Sequence, residues 1–136
     1  MSLQLTFEKL IGYDINKTGI TVAVELRLGE SSSVFETKID TGSTYCVFGR
    51  IYGERLGLDI EAGERQRIGT VAGSFLAFGH WVTLTVEGFT FDSMVFFAED
   101  ENFSRNVLGR NGWLDRVIIG INDYDGKIYL SRYESE

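Results

Sequence analysis

The stretch Lys38-Ile39-Asp40-Thr41-Gly42-Ser43 decides the fold, because it joins an apolar strand to a short polar loop. Asp40 places a carboxylate at the end of the strand. Gly42 has no Cβ and lets the chain turn sharply, while Thr41 and Ser43 carry hydroxyls that can hydrogen-bond to the loop and the carboxylate. The string Asp-Thr-Gly-Ser would occur by chance in well under roughly 1% of chains of this length. The segment is therefore a candidate catalytic loop.

The residues before this loop predict a β-hairpin that ends at Asp40. Apolar residues occupy every second position from Ile20 to Leu28, which is typical of a half-buried strand. Residues 29–33 read Gly-Glu-Ser-Ser-Ser and predict a polar turn. Alternation resumes from Phe35 to Ile39, so a return strand delivers Asp40 to its loop.

The chain after the loop also follows mostly the two-residue period of β-strands. Strands are predicted over residues 65–71, 75–81 with continued alternation to 86, 94–98, 117–121 and 127–131. An Ala72-Gly73-Ser74 turn joins the first two, and an Asp-Gly turn joins the last two. Residues 51–58 predict a short helix that stops at Gly57. These patterns predict an all-β fold, a closed barrel with one or two short helices.

Size and composition narrow the possible functions. The 136 residues suit one domain, 1–136. The net charge of -7 argues against nucleic acid as a partner, because binding its backbone requires a basic face. No run of 18 apolar residues and no leader pattern occurs, so we expect no membrane span and a cytoplasmic location. With one cysteine, Cys46, and one histidine, His80, we expect no metal site and no cofactor.

The order of these motifs resembles the retropepsin-like aspartic proteases, the single-domain relatives of retroviral protease, over about residues 20–131. The family has an Asp-Thr-Gly loop, then a flap hairpin, where this chain has residues 71–74. It then has an apolar-apolar-glycine element followed by Arg and Asp or Asn. Residues 106–111, Asn-Val-Leu-Gly-Arg-Asn, match that element. A short helix follows in the family, and residues 112–116 can supply it.

The resemblance implies a role for each matching residue. Asp40 would be the catalytic carboxylate, Thr41 would bond across a dimer axis, and Gly42 would shape the catalytic loop. The flap that covers the substrate would comprise Val71, Ala72, Gly73 and Ser74. The supporting residues would be Ser43, Leu108, Gly109 and Arg110.

Hydrolysis of a peptide bond by carboxylates needs two of them, one as a base for water and one, protonated, as an acid for the carbonyl. Close carboxylates cannot both ionise and therefore share a proton. The chain has a single Asp-Thr-Gly, so the second carboxylate must come from another copy. The implied function is a homodimeric aspartic endopeptidase, with a dyad of Asp40 from each chain, that acts on peptide or protein substrates.

Other interpretations remain open. Asp40 could simply begin a turn, and residues 72–74 could be an ordinary hairpin turn. The chain could be a catalytically silent module of the same fold that binds extended peptides, or an unrelated barrel for an apolar ligand. The aromatic residues Phe75, Phe78 and Trp81 could line a cleft, although the core is the favoured place for such side chains.

Two features depart from the retroviral pattern. There the Arg after the glycine pairs with an Asp just past the active-site loop, but residues 44–46 here read Thr-Tyr-Cys. Arg110 would therefore need another partner, such as Asp115 or a chain terminus. The C-terminal hairpin is also longer than the single short strand of the retroviral enzymes. This argues against their terminal-strand dimer interface and favours contacts around Asp40.

Overall fold

The computed structural model describes residues 1–133, and β-strands dominate them. The strands are β1 (Lys9–Gly12), β2 (Thr21–Leu28), β3 (Ser31–Ile39), β4 (Val47–Phe48), β5 (Glu64–Thr70), β6 (Gly73–Val86), β7 (Phe89–Ala98), β8 (Val107–Leu108), β9 (Val117–Asn122) and β10 (Lys127–Arg132). One α-helix, α1 (Arg50–Glu54), and two 3-10 helices, Ile60–Ala62 and Leu114–Arg116, complete the described elements. The prediction of an all-β fold with short helices is confirmed.

The strands form two sheets. Seven strands lie in the order β2-β3-β8-β4-β7-β6-β5. β2 also pairs with β6, with Val24 opposite Val86, so this sheet curls back on itself. The remaining strands form a separate sheet in the order β1-β10-β9. The predicted closed barrel is therefore not closed over all of its strands. Pairings link β2, β3, β8, β4, β7 and β6 in a ring, while β5 and the three-stranded sheet lie outside it.

Alternation along the strands builds the core. Val22, Val24 and Leu26 of β2 are buried, while their sequence neighbours face outward or are only partly covered. They pack in one cluster with buried residues from both sheets, including Phe97 of β7 and Ile128 of β10. Burial of large apolar side chains contributes most of the stabilisation in such a core. The core thus holds the two sheets together beneath the candidate site.

Several elements differ from the predicted boundaries, and two of them have a clear structural reason. β3 begins at Ser31, so the predicted polar turn at residues 29–33 is only a tight turn at residues 29–30. The reason is that Ser33 faces inward and donates a hydrogen bond to the Tyr52 carbonyl, 3.0 Å away. The helix predicted over residues 51–58 spans only Arg50–Glu54, and the chain reverses at Gly57, whose φ is +83°.

A strand near the N-terminus was not predicted. β1 pairs with β10, with Lys9 opposite Leu130. Its four residues show no clear alternation, and three of them are exposed. Pairing with a distant strand, not local pattern, defines this element.

In the described part of the chain, no helix has both the length and the apolar character needed to cross a bilayer.

Candidate active site

The Asp40 loop follows directly from β3. The Asp40 backbone N–H donates to the Leu108 carbonyl, 2.9 Å away, and the Ser43 N–H donates to the Asp40 carbonyl at 3.1 Å. The carboxylate itself is held by the backbone of the loop, because the Gly42 N–H donates to Asp40 Oδ1 at 2.9 Å. Among residues 1–133, Oδ2 has no hydrogen-bond partner. The half-buried carboxylate is therefore fixed through one oxygen and leaves the other available to a water molecule.

The apolar-apolar-glycine element braces this loop. β8 runs parallel to the end of β3, with Ile39 opposite Leu108. Beyond it, the Arg110 N–H donates to the Ser43 carbonyl at 2.8 Å. Leu108 is fully buried, so this pairing of β8 with β3 is anchored in the core. The structure thus brings Asp40 and this distant segment together through backbone hydrogen bonds, as the motif order predicts.

Gly109 lies where the two segments are closest. A β-carbon at this position would be 2.7 Å from the Ser43 carbonyl oxygen and closer still to that of Tyr45. Real side chains do not make such contacts with backbone, so only glycine fits. The Ser43 hydroxyl adds to the brace by donating to the Tyr45 carbonyl at 2.7 Å.

The hairpin of β5 and β6 ends in the predicted flap. Thr70 lies opposite Gly73, so Val71 and Ala72 form the tip. The Thr70 hydroxyl stabilises it by accepting a hydrogen bond from the Ala72 N–H and donating one to the Gly73 carbonyl, both at 3.2 Å. Gly73 has a φ of +138°, which favours glycine. All four residues from Val71 to Ser74 are exposed.

A groove of about 540 Å³ lies between this hairpin and the Asp40 loop. Asp40, Gly42 and Ser43 line it on one side, and Gly69 to Val71 line it on the other. The apolar side chains that line it are Val47, Ile68, Val71, Phe75, Phe103 and Val107. A carboxylate at the edge of an apolar groove can act on a bound extended chain.

Comparisons with known proteins identify the family and the fold. A family model described as aspartyl protease matches residues 22–120. The chain belongs to the aspartyl protease family. The structure of EIAV protease complexed with the inhibitor HBY-793 is similar with a TM-score of 0.56 and 22% sequence identity, and the match covers 74% of this chain and 88% of that one. A comparison with curated proteins found no match. The retropepsin-like fold predicted from the motifs is confirmed.

The Arg110 side chain does not form the ion pair that its position in the sequence suggested. Its guanidinium makes no ion pair or hydrogen bond within residues 1–133. The pair with Asp115, one of the suggested partners, is not formed, because the Asp115 carboxylate accepts from the Gly112 N–H at 3.0 Å and lies 3.9 Å from Arg116. The other suggested partner was a chain terminus, and the C-terminal one lies outside the described residues. Arg110 supports the Asp40 loop through its backbone N–H.

The aromatic residues near the flap divide between groove, core and surface. Phe75 lines the groove and packs on Phe103, with ring centroids 4.7 Å apart. Phe78 is buried in the core, as favoured, whereas Trp81 is largely exposed. His80 is partly buried on β6, and its Nε2 lies 2.9 Å from the Ile60 carbonyl oxygen.

The sequence patterns did not assign several groove residues, of which Phe103 and Arg105 are two. Both lie in the polar loop before β8, which has no periodicity to indicate a face. The only available signal was an isolated aromatic side chain within a polar loop, close before the apolar-apolar-glycine element of a protease.

Proposed function

We propose that the protein is a homodimeric aspartic endopeptidase whose catalytic dyad consists of Asp40 from each of two copies. The observation that carries this proposal is the Asp40 carboxylate, fixed through Oδ1 and open at Oδ2, at the edge of an apolar groove beneath a hairpin tip. One chain supplies one such carboxylate. A two-fold axis beside the exposed Thr41 and Gly42 would bring the Asp40 carboxylate of a second copy next to that of the first.

The reaction follows from two carboxylates that share one proton. The ionised carboxylate takes a proton from water as the water oxygen attacks the peptide carbonyl carbon. The protonated carboxyl group gives its proton to the carbonyl oxygen, which produces a neutral tetrahedral diol. As the diol collapses and the C–N bond breaks, the newly ionised carboxylate takes a proton from one diol hydroxyl, and the newly protonated carboxyl group gives its proton to the leaving nitrogen. The products are a carboxylic acid and an amine, and the dyad again holds one proton. No metal or cofactor enters these steps.

The remaining site residues have positioning roles in this proposal. The Gly42 N–H holds the Asp40 carboxylate. Ser43 and Gly109 keep the Asp40 loop close to the segment that follows β8. Thr41, whose side chain is exposed, would bond to its counterpart across the axis. The tip at residues 71–74 would close over an extended peptide and exclude water.

The dimer contact is proposed at the Asp40 loops and not at the chain ends. β1 and β10 already pair with each other inside one chain. Their inner edges are therefore occupied, and an exchange of terminal strands between copies would first have to break this sheet.

The Asp40→Asn variant tests the proposal. Asn keeps the size of the side chain but cannot act as a base, so cleavage should fall by more than roughly a thousandfold. Purified protein would be incubated with a denatured protein mixture, and new peptide ends would be read by mass spectrometry. Asp59→Asn is the matched control, since Asp59 is exposed and makes no side-chain hydrogen bond within the described residues.

Circular dichroism and analytical ultracentrifugation would establish that both variants keep the fold and the dimer. Equal cleavage by wild type and Asp40→Asn would exclude Asp40 as the catalytic group. Binding of extended peptides by a wild-type protein that cuts none of them would favour the catalytically silent module.

A further inference from the structure

Arg105 occupies a special position beside the catalytic loop. It lines the groove of about 540 Å³ beneath the hairpin tip. It also lines a second cavity of about 300 Å³ on the side of β3. Among residues 1–133, Asp40 and Val107 are the only others that line both cavities. A side chain that reaches either cavity from a substrate bound at Asp40 would therefore meet Arg105.

The Arg105 side chain is available to a ligand. The residue is exposed, and its guanidinium makes no ion pair or hydrogen bond within residues 1–133. Arginine presents several donors in a planar fork that matches a carboxylate. By contrast, Arg50 is fully engaged by Glu54 and Glu61. An unengaged arginine next to a catalytic loop is suited to bind substrate.

The charges around Arg105 favour an acidic ligand. Asp40 is the one acidic residue among the described residues that line the larger groove. The smaller cavity includes Lys38 and Glu36, but Glu36 forms an ion pair with Lys17 at 2.9 Å. Lys38 and Arg105 offset Glu36 and Asp40 in the two linings, whereas the chain as a whole carries a net charge of -7. An acidic side chain would be attracted to this part of the surface and repelled by much of the rest.

We propose that Arg105 is a specificity-determining residue that selects substrates with a Glu or Asp next to the apolar residues bound in the groove. This inference rests on the proposed endopeptidase function. In a two-fold dimer each copy contributes one Arg105, so the preference extends to acidic residues on both sides of the cleaved bond.

The apolar part of the same substrate has its own binding surface. Val107 follows Arg105 by two residues, and the paired rings of Phe75 and Phe103 line the groove. A peptide that alternates apolar and acidic residues would place both kinds of side chain in suitable surroundings. A purely apolar peptide would leave Arg105 without a partner, and a basic one would be repelled.

Matched peptides test this inference. One sequence cleaved by the wild-type protein would be synthesised with Glu, Gln or Lys at single positions on either side of the cleaved bond. For the wild type, kcat/KM should be about threefold to tenfold higher with Glu than with Gln at the position near Arg105, the scale of one partly exposed charged hydrogen bond. Lys should be the poorest of the three.

Four variants separate charge recognition from structure. Arg105→Gln should equalise Glu and Gln peptides, Arg105→Lys should keep the preference for Glu, and Arg105→Glu should reverse it in favour of Lys. Arg27→Gln is the control, because Arg27 is an exposed β2 residue outside both cavities whose surface pair with Glu25 contributes little. It should cleave all peptides like the wild type.

The outcomes distinguish a failure of the Arg105 inference from a failure of the proposed endopeptidase function. Cleavage with no preference for Glu, or a preference that survives unchanged in Arg105→Gln and Arg105→Glu, would overturn the role of Arg105 alone. An equal loss of cleavage for Glu, Gln and Lys peptides in Arg105→Gln would assign it a positioning role and overturn substrate selection. No cleavage of any peptide by the wild type would overturn the endopeptidase and this inference with it.

Discussion

Single residues fix the Asp40 loop, and Gly109 has the least freedom of them. Its α-carbon faces the carbonyl groups of Ser43 and Tyr45, which belong to the backbone and cannot rotate away. Gly109→Ala would force the two segments apart and should lower the free energy of unfolding by about 3 kcal/mol. Urea unfolding, monitored by fluorescence, would measure this loss of stability.

Gly69→Ala is the matched control for this substitution. A β-carbon on Gly69 would meet nothing within 4 Å, and its φ lies outside the left-handed region. We expect its stability to remain within about 0.5 kcal/mol of wild type. Equal stability of Gly109→Ala and Gly69→Ala would show that the close approach at residue 109 relaxes without cost.

Cys46 is buried next to Gly109, where the Asp40 loop meets the segment after β8. Its thiol lies 3.5 Å from the Asn111 carbonyl oxygen and accepts from the Gly109 N–H at 3.4 Å. Burial raises the pKa of the Cys46 thiol from 9.0 to about 12. Since the thiolate is the reactive form, Cys46 should react with Ellman's reagent at pH 8 only in denaturant. Rapid reaction of the native protein would contradict its burial.

The same pKa shift predicts a loss of stability at alkaline pH. The unfolded thiol ionises near its ordinary pKa, whereas the folded thiol keeps its proton up to about pH 12. Unfolding therefore releases a proton between these values, and this contribution to stability is complete below pH 9 and is lost as pH rises through that window. Cys46→Ala should show a weaker alkaline decline in its unfolding free energy.

At the scale of elements, the β5–β6 hairpin combines a fixed base with a free tip. The second half of β6 pairs with both β2 and β7, and the first half pairs with β5. β7 reaches only as far as Ala77 on β6, so the tip beyond it has β5 as its sole strand partner. Such an arrangement permits the tip to move while its base stays in the sheet.

Gly73→Ala tests whether this tip acts as a flap. A β-carbon would have free space there, but the φ of +138° would strain any residue other than glycine by roughly 1–2 kcal/mol. If the tip closes over substrate, kcat/KM should fall by roughly tenfold or more. Peptide cleavage and thermal unfolding would be measured together.

Gly29→Ala provides the comparison for the flap variant. Gly29 also lies at a hairpin tip, has a positive φ of +60°, and has nothing within 4 Å of a new β-carbon. Its stability should fall by a similar amount while cleavage stays at the wild-type rate. Loss of cleavage in both variants, in step with stability, would remove the case for a flap at residues 71–74.

At the scale of the whole molecule, one chain holds half of the proposed active site. Mixing wild type with Asp40→Asn and allowing the subunits to exchange would therefore produce dimers with one, two or no Asp40. If both carboxylates are needed, activity should follow the square of the wild-type fraction, about a quarter at an equal mixture.

Mixtures of wild type with Asp59→Asn should keep full activity at every ratio. Dilution of the wild type below its dimerisation constant, measured by ultracentrifugation, should lower the activity per chain. Activity that follows the wild-type fraction linearly would mean that each chain works alone, and would exclude the shared dyad.

The sequence by itself determined the all-β class, the hairpin that leads to Asp40 and the order of loop, hairpin and apolar-apolar-glycine element. These features depend on local alternation and on the residue types along the chain, so they can be predicted without knowing which segments are in contact. The roles assigned to Asp40 and to the flap residues stay predictions.

Only the tertiary structure decided which strands are partners and what lines the groove. β1 joins β10 across more than a hundred residues, and Arg110 stays apart from Asp115. Phe103 and Arg105 reach the groove from a loop without periodicity. The physical reason is that a two-residue period states which side chains share a face, whereas the partner of that face is selected by packing and hydrogen bonding across the whole chain.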